Sequence, residues 1–534
     1  MPVLLRHSGD LASVATFDRW VSIGVADLPL APKMRVANLA ASLETSFDAI
    51  SDHWFELASE LGKSPSSNLA HAPSCAANVS DLGVMMAWDK LVADMTGAPE
   101  KILVVCDDPW LYRQLTEQVG IDAGEPPSLL QQTFRLAVRG HVARLACAAR
   151  LIVNNLRVRA QKSSASVDKT VVLSYGHPRS KADGYDGYFA NLLQEYPKLR
   201  RILHVDCPAS RALELVGDNQ TLSLHAWGRI VDFFELPFAR WKPNKSHLSG
   251  KWGWLVKRAA ALESGTGQAA MVRWQQICQR RWLQQTRPAC VIWPWENHGW
   301  ERHFVRTARA LGIPTIGYQH SVVGQQMLNY SLRSNADGLE SIPDQILCTG
   351  GPTFEQLGAW GLPRDRLKIA GALRIPEIKK ATVDPSGPVY MALSFDQDTA
   401  KQMLDAADRL TEKGYRFVVK NHPMQPTISS QNDQIEITPK PFSDHKGLRA
   451  LVFAASTVGL EAAIAGLPTI RFQTEDKVAL NILPPTVPLL ASDAAGLEEA
   501  LGKVTPLELD HQKIFSPVNR AVWKKALTCD RANL

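Results

Sequence analysis

The stretch IWPWENHGWE places Glu296 directly after an apolar run, among three tryptophans. Indole rings exclude water from a neighbouring carboxylate and raise its pKa, which suits a group that takes up a proton at neutral pH. Trp295 and Trp300 could also stack on the apolar face of a sugar. We therefore predict that Glu296 is a catalytic base and that these two rings contact an acceptor. A capping glutamate with core tryptophans is the alternative.

A second candidate follows the apolar run ALVFAA, where Ser456 and Thr457 precede the helical pattern GLEAAIAG. The first turn of a helix offers unpaired N–H groups, and two hydroxyls beside them add donors for an anion. One turn later, Glu461 could accept a hydrogen bond from a ribose hydroxyl. Ordinary capping of the helix by the hydroxyls, with Glu461 exposed to solvent, is the alternative.

Two histidines also follow apolar runs. In KNHP, His422 is held before Pro423 and beside Lys420, and a histidine in that position can bind or protonate a phosphate oxygen. In YQHS, His320 follows Gln319 at the end of another run. For each histidine, an ordinary place in a loop is the alternative.

An Asp-x-Asp pair, Asp396 and Asp398, is of the kind that holds a divalent metal on a donor diphosphate in one glycosyltransferase fold. Here the pair precedes the helical pattern TAKQMLDAADRL, and acidic residues cap and stabilise the first turn of a helix. We interpret the pair as a helix cap and predict no essential metal.

Short apolar runs, each followed by a loop and a helical pattern, predict strands that are buried on both faces of parallel sheets. The first series is KILVVCDD, KTVVLSYG, RRILHVDC, ACVIWPWE and IPTIGYQH, and the second is DQILCTG, RLKIAGA, PVYMALS, YRFVVKNHP, QIEITP, ALVFAAS and LPTIRF. Ligands of such sheets bind beyond the carboxyl ends of the strands, where the candidate residues lie.

A loss of periodicity near 325–343 separates the two series. We predict an α/β protein with two doubly wound, Rossmann-like domains that face a cleft, the first over 96–335 and the second over 336–515. Residues 1–95 are predicted to form a helical or mixed N-terminal extension, and residues 516–534 a last helix.

The chain of 534 residues has a formal charge of +6, 45% hydrophobic residues and no block of lysines and arginines. This composition argues against a nucleic-acid partner, and its mildly basic balance fits an anionic substrate or membrane surface. Eight scattered cysteines without a Cys-x-x-Cys pair predict buried free thiols. With no signal peptide and no uninterrupted apolar span visible, we expect a cytoplasmic protein.

Residues 228–257 mix aromatic and basic side chains. They could rest on anionic lipid head groups near a lipid-linked acceptor, in peripheral contact with the inner face of the membrane. A partly buried insertion whose lysines face solvent is the favoured alternative.

Taken in their order, YQHS, KNHP and ASTVGLEAAIAGLPTI resemble motifs of GT-B glycosyltransferases of bacterial surface-polysaccharide biosynthesis. The His-Pro and Ser-Thr elements are similar to those of bacterial sialyltransferases, polysialyltransferases and capsule Kdo transferases, which use CMP-activated ulosonic acids. WPWENHGWE and DGYDGYF look like parts of surface-carbohydrate-biosynthesis proteins of the same broad group. The resemblance covers roughly residues 170–475.

The resemblance implies a role for each strand end. His422 would contact the CMP phosphate and help it depart, while Ser456 and Thr457 would hold that phosphate. His320 and Gln319 would line the cleft between an N-terminal acceptor domain and a C-terminal donor domain. The complete donor-binding set is His320, Gln319, Ser394, Lys420, Pro423, Ser456, Thr457 and Glu461.

Glu296 would activate the acceptor, as implied by its position in the N-terminal half. The sialyltransferase-type base motif of two acids and a glycine is not clearly present. Asp183 and Asp186 in KADGYDGYF are therefore rival bases and candidates for acceptor binding.

The predicted activity is transfer of a CMP-linked ulosonic acid to a glycan or lipid-linked acceptor, with the nucleotide sugar as substrate and no further cofactor. One enzyme alternative uses a UDP- or GDP-sugar, or a CDP-polyol donor, since CDP-glycerol-type phosphotransferases also carry His-Pro and Ser/Thr motifs in a GT-B fold. A catalytically silent scaffold of polysaccharide assembly is the alternative from another class.

Overall fold

The computed structural model contains three β-sheets with helices packed around them. The described residues are 3–14, 16–25, 28–164, 169–217, 221–375, 377–422 and 430–528. Every pairing between the strands of these sheets is parallel. The prediction of an α/β protein built on parallel sheets is therefore confirmed.

The first sheet has four strands in the order β2-β3-β1-β4. These are β1 Val3–Arg6, β2 Arg19–Ile23, β3 Ile102–Cys106 and β4 Ile121–Ala123, with helices α1 Leu39–Ala49, α2 Ser51–Gly62, α3 Leu82–Met95 and α4 Pro109–Thr116. The predicted boundary at residue 95 cuts through this sheet, because β3 pairs with both β1 and β2. The sequence pattern did not reveal β1 and β2, because each is followed along the chain by a 3-10 turn and not directly by the helical pattern used to recognise the other strands.

The second sheet has seven strands in the order β11-β10-β9-β8-β5-β6-β7. They are β5 Thr170–Ser174, β6 Arg200–Leu203, β7 Thr221–Ser223, β8 Cys290–Pro294, β9 Thr315–Gln319, β10 Gln345–Cys348 and β11 Leu367–Ile369. The predicted boundary at 335 falls inside this sheet, because β10 pairs with β9. The region 325–343 loses periodicity because it forms three short 3-10 turns rather than a linker.

Seven helices accompany this sheet along the chain. They are α5 Leu129–Val158, α6 Leu192–Glu195, α7 Ala209–Glu214, α8 Gly253–Ser264, α9 Gln268–Thr286, α10 Gly299–Ala310 and α11 Gly351–Ala359. The helix α10 follows the WPWENHGWE stretch, and Gly312 turns the chain after it with a φ of +67°.

The third sheet has six strands in the order β14-β13-β12-β15-β16-β17. They are β12 Val389–Ala392, β13 Phe417–Lys420, β14 Ile435–Ile437, β15 Ala450–Phe453, β16 Thr469–Phe472 and β17 Leu490–Ser492, with helices α12 Gln397–Thr411, α13 Val458–Ile464, α14 Leu497–Lys503 and α15 His511–Ile514. This is the 3-2-1-4-5-6 order of Rossmann folds, and the second sheet shares it with one more strand. The order reverses between β12 and β15, and between β5 and β8.

The last described helix, α16 Arg520–Thr528, returns to the second sheet. The ring of Trp523 lies 5.1 Å from that of Tyr318, and its Nε1 donates to the Ala370 carbonyl at 3.1 Å. The helix predicted within 516–534 is therefore present, and its buried indole packs this helix against β9.

Strands buried along their whole length explain the apolar runs in the sequence. No residue of β3, β8, β9, β12, β15 or β16 is exposed. The seven cysteines in the described part of the chain are buried and free, as predicted. Within the same segments, no helix combines the length and the apolar character that a membrane span requires.

Candidate functional site

The strand ends of the second and third sheets meet around a cavity of about 440 Å³. Its lining includes residues that follow β5, β8, β9, β11 and β15, and of these β5, β8 and β15 lie beside the points of reversal. Such points are where ligands bind in doubly wound sheets. The residues that carry chemistry there are Arg179, Glu296, His320, Ser321, Asn329, Tyr330, Arg374, Thr457 and Glu461.

Glu296 faces this cavity and is paired with His298. Its Oε2 lies 2.9 Å from Nε2 of His298, and its side chain keeps 37% of its surface exposed. Burial alone would raise the pKa of Glu296, but the hydrogen bond and charge of His298, together with the charges of His320 and Arg374, lower it to about 2. The predicted rise of this pKa is therefore wrong. The carboxylate is ionised at neutral pH because the hydrogen bond and charge of His298 and the charge of Arg374 outweigh its burial.

Burial also acts to lower the pKa of His298, yet the hydrogen bond and charge of Glu296 outweigh it and raise that pKa above 6.5. The backbone between them turns through Asn297, which has a φ of 58°. Asparagine tolerates this left-handed conformation, and its Nδ2 donates to the Asn329 carbonyl at 2.7 Å. The turn holds the two members of the pair side by side.

The carboxyl group with the raised pKa is Glu301, which burial brings to about 7. It accepts hydrogen bonds from Nε1 of Trp293 at 2.7 Å and from the backbone N–H groups of Glu296 at 2.9 Å and His298 at 2.6 Å. Glu301 is thus the capping-box residue of α10. The alternative interpretation, a capping glutamate beside core tryptophans, applies to Glu301 instead of Glu296.

The tryptophans belong to the core. Trp295 has no exposed surface and packs edge-on against Tyr330, with ring centroids 5.4 Å apart. Trp300 is 8% exposed and packs on His204 at 4.9 Å and on Phe304 at 6.4 Å. Neither ring presents a free face to the cavity, so their predicted stacking on an acceptor sugar is not supported.

The rival base Asp186 is fully buried and lies 3.4 Å from Arg201. It also accepts hydrogen bonds from the Ser174 hydroxyl at 2.9 Å and from the backbone N–H of Tyr188 at 2.9 Å. Asp183 is exposed and accepts a bond from the Tyr185 N–H at 2.9 Å in a turn. Neither aspartate lines the cavity that holds Glu296. Their prediction as bases fails because the first has no access to solvent and the second lies elsewhere.

Two arginines that the sequence analysis did not single out line the cavity. Arg179 follows β5, and Arg374 lies after β11 with its guanidinium 5.2 Å from the ring centroid of Tyr188. Within the described part of the chain, neither forms an ion pair. The loop GHPRS after β5 fits the strand-end rule used above, and applying that rule to every run would have found Arg179.

Glu461 also lines the cavity, from α13. Burial raises its pKa, and the positive charges of Arg374, Arg179 and Lys420 oppose that rise. Lys420, at the end of β13, therefore acts on the same cavity although it is not among its lining residues. The result is a mixed site in which anionic and cationic groups face one another.

His320 lines the cavity as predicted and packs edge-on to Tyr188, with ring centroids 4.9 Å apart. Burial lowers its pKa to about 4, so the imidazole is uncharged at neutral pH. Gln319 has no exposed surface and donates to the Val322 carbonyl at 3.4 Å. It therefore supports the cavity from beneath and does not line it.

A second, larger cavity of about 1440 Å³ lies between the first and third sheets. Asp107 and Asp108 line it from the end of β3, while Ser394 and His422 line it from the ends of β12 and β13. Burial lowers the pKa of His422, whose ring lies 5.3 Å from that of Phe395. The two cavities share the wall residues Asn78, Ala455, Leu480 and Ile482.

The Ser-Thr pair lies between the two cavities. Thr457 is the N-cap residue of α13 and lines the smaller cavity, while Ser456 lines the larger one. The Ser456 hydroxyl accepts from the Val458 N–H at 3.4 Å, and no side-chain bond caps the helix from Thr457. Ala455 before them has a φ of 43°, a strained value for alanine of the kind that clusters at functional sites.

Asp396 caps α12, accepting from the Thr399 N–H at 2.9 Å, as the sequence indicated. Lys477 pairs with both Asp396 and Asp398. Within the described segments, no group of three or more His, Cys, Asp or Glu is arranged to hold a metal ion. Pro423 lies outside the described residues.

No protein-family model matches the sequence, and no curated protein matches it. Among solved structures, the chain is similar to UDP-GlcNAc 2-epimerase from Neisseria meningitidis bound to UDP-GlcNAc, with a TM-score of 0.40 and 13% identity, covering 67% of this chain and 100% of that one. The UDP-N-acetylglucosamine 2-epimerase from Rickettsia bellii has a TM-score of 0.37 and 12% identity, and the match covers 68% of this chain and 95% of that one. The lipopolysaccharide outer core galactosyltransferase WaaB has a TM-score of 0.37 and 11% identity, and the match covers 67% of this chain and 99% of that one. Similarity this low carries no inference about activity.

Proposed function

We propose that this protein is a GT-B glycosyltransferase that transfers a sugar from a nucleotide donor. The observation that carries the proposal is the pair Arg179 and Arg374, which line the cavity beyond the ends of β5 and β11 without an ion pair among the described residues. Guanidinium groups bind phosphate and carboxylate through charge-assisted hydrogen bonds. An ionised carboxylate, Glu296, faces the same cavity and supplies the acceptor side of the reaction.

A CMP-linked ulosonic acid is the donor class that we favour. It carries one phosphate and one sugar carboxylate, and the cavity offers two arginines, Arg179 and Arg374. The diphosphate of a UDP- or GDP-sugar also carries two charges, so the two arginines alone fit either donor class, and the preference for CMP rests on the resemblance of the His-Pro and Ser-Thr motifs. We propose that Glu461, which lines the cavity from α13, hydrogen-bonds a ribose hydroxyl of the donor.

In the proposed reaction, an acceptor hydroxyl gives its proton to Glu296 while its oxygen bonds to the anomeric carbon of the donor. The bond from that carbon to the phosphate oxygen breaks, and its electron pair leaves with the nucleotide, stabilised by Arg374 and Arg179. Glu296 alone, with a pKa of about 2, holds a proton weakly. His298 is hydrogen-bonded to Glu296 at 2.9 Å, so an uncharged His298 imidazole can accept the proton from the Glu296 carboxyl group.

The larger cavity gives room for the acceptor and for the remaining donor contacts. Its volume of about 1440 Å³ exceeds the roughly 300–1,000 Å³ of ordinary small-molecule sites. We propose that His422, Ser394 and Ser456 hold one end of the donor from this side. They are separated from Thr457 and Glu461 only by the shared wall at Ala455.

Thermal stabilisation by CMP, CDP, UDP, GDP and ADP tests the proposal. A nucleotide at a hundred times its dissociation constant adds about 2.7 kcal/mol to the free energy of unfolding. We expect CMP to stabilise the wild type and to lose most of this effect in Arg374→Ala. The matched control is Arg364→Ala, because Arg364 is exposed and paired with Glu355 on the surface.

Each outcome has a defined meaning. Stabilisation by CMP alone, followed by transfer from a CMP-linked ulosonic acid, supports the full proposal. Selective stabilisation by UDP or GDP supports a glycosyltransferase but rules out CMP as the donor nucleotide. Binding of CDP together with transfer of a polyol phosphate supports the phosphotransferase alternative. If no nucleotide stabilises the protein with or without glycan acceptors, the enzyme proposal fails in favour of a scaffold.

A further inference from the structure

The long helix α5 exposes an apolar stripe that nothing in the described structure covers. Seven large apolar side chains on this helix are at least 44% exposed: Leu130, Phe134, Val138, Val142, Leu145, Val153 and Leu156. At about 100° per residue they lie on one side of the helix, and they extend over about 39 Å of its length. A soluble surface seldom carries so long a continuous apolar row without a binding partner.

The other side of α5 accounts for its packing, so the exposed stripe is not needed for the fold. Leu136, Gly140, Cys147, Leu151 and Val158 are buried at helical spacing. The buried stripe and the exposed stripe therefore face opposite directions. When a helix is apolar on two sides, the side that faces away from the core is expected to contact another protein or a membrane.

The exposed stripe continues onto the segment 230–238, which forms two 3-10 turns. Phe234 is 77% exposed and Phe238 is 73% exposed. The Phe238 ring lies 6.4 Å from His141 of α5, and Arg144 of α5 donates to the Pro237 carbonyl at 2.8 Å. These contacts join the two elements into one surface. We call it the α5 face, formed by the exposed side of 130–156 and by 230–238.

The charges around the α5 face are positive. The helix α5 contains five arginines and no aspartate or glutamate. Its exposed arginines, Arg135, Arg139, Arg150 and Arg157, lie along one edge of the apolar stripe. The two acids in the 3-10 turns, Asp232 and Glu235, form ion pairs with Arg281 and Arg273 of α9. The surface thus presents an apolar centre with a row of arginines along one edge.

We infer that the α5 face binds the surface of an anionic lipid bilayer. An amphipathic helix with arginines beside a row of aromatic and aliphatic side chains lies in the interface, with its apolar side among the acyl chains and its charges at the head groups. A second copy of the chain is the less suitable occupant. A two-fold contact along α5 would bring arginines together with no acid on the helix to neutralise them.

This surface adjoins the larger cavity. Arg139 and Arg150 of α5 line that cavity as well as the edge of the α5 face. A bilayer bound there would lie beside the cavity in which we place the acceptor. Binding to lipid itself does not depend on the proposed transferase activity, so its test gives an answer even if no sugar is transferred.

The test is co-sedimentation of the full chain with vesicles of mixed phosphatidylglycerol and phosphatidylcholine, and with vesicles of phosphatidylcholine alone. We expect binding to the anionic vesicles that weakens with added salt. The variant Phe134→Glu/Phe238→Glu should bind at least about tenfold more weakly, because two aromatic side chains no longer enter the interface. Leu490→Glu is the control, because Leu490 is 40% exposed on β17, an edge strand of the third sheet and outside the α5 face.

A second variant, Arg135→Gln/Arg157→Gln, should lower binding to anionic vesicles by about fivefold for each charge removed and leave binding to neutral vesicles unchanged. Both sets of substituted residues are exposed, so melting temperatures should match the wild type. Unchanged lipid binding in the phenylalanine variant overturns the inference. A dimer in sedimentation velocity that dissociates in that variant, without lipid binding, also overturns it and assigns the face to a second copy.

Discussion

Nε2 of His298 lies 2.9 Å from Oε2 of Glu296, and each group shifts the pKa of the other toward the charged form. The backbone N–H groups of both residues donate to one buried carboxyl group, Glu301, at the start of α10. The helix start therefore positions the pair at the cavity. This arrangement joins a capping motif, whose role is structural, to the two residues that we propose as the base.

Replacing Glu296 by glutamine should abolish most of the proposed transfer. An amide cannot take the acceptor proton, and general bases contribute about 10²–10⁴-fold to such rates. The nucleotide dissociation constant should change little, because the arginines are untouched. Glu355→Gln, at an exposed ion pair with Arg364, is the control. Wild-type activity in Glu296→Gln would argue for a scaffold or for a different base.

The rate should depend on the protonation of His298. Its pKa is raised above 6.5, so the imidazole stays protonated to a higher pH than usual and cannot receive a proton there. We therefore expect kcat/KM to increase as pH rises through the raised pKa. In His298→Asn this acid limb should disappear, with a lower rate at high pH. NMR titration of the His298 ring gives the pKa independently, and an unshifted value would contradict the pair.

Replacing Asp186 by asparagine should destabilise the fold without altering the site. The substitution leaves Arg201 buried and unpaired, which typically lowers the free energy of unfolding by about 3–5 kcal/mol. Asp183→Asn, in an exposed turn, should have a small effect. Thermal melting measures both. A selective loss of transfer by Asp186→Asn, with normal stability, would restore this residue as a candidate base.

Replacing Ala455 by glycine should stabilise the protein. Its φ of 43° places alanine in the left-handed region, which is unfavourable by roughly 1–2 kcal/mol, and glycine removes the strain at a smaller entropic cost. We expect a gain of about 0.5–1 kcal/mol in chemical unfolding. Ala454→Gly is the control, since Ala454 is 1% exposed and should lose stability. A loss of stability at both positions would show that no strain is stored at Ala455.

The features that depend on near neighbours were readable in the sequence. The apolar runs predicted every strand of the second and third sheets except β7 and β17, and the residues after them predicted Glu296, His320 and Thr457 at the smaller cavity. Asp396 was interpreted as a helix cap, and it is one. Such signals are local because a strand, a cap or a helix start is specified within a few residues of chain.

Tertiary structure decided the features that depend on distant pairings and on exact distances. Arg179 and Arg374 meet at one cavity because β5 and β11 belong to the same sheet, and the first sheet unites strands from both sides of residue 95. The ionised state of Glu296 follows from His298, which lies 2.9 Å away, and not from the indoles beside it in the sequence. A pKa and a sheet order both arise from groups that only folding brings together, so neither is encoded in local pattern.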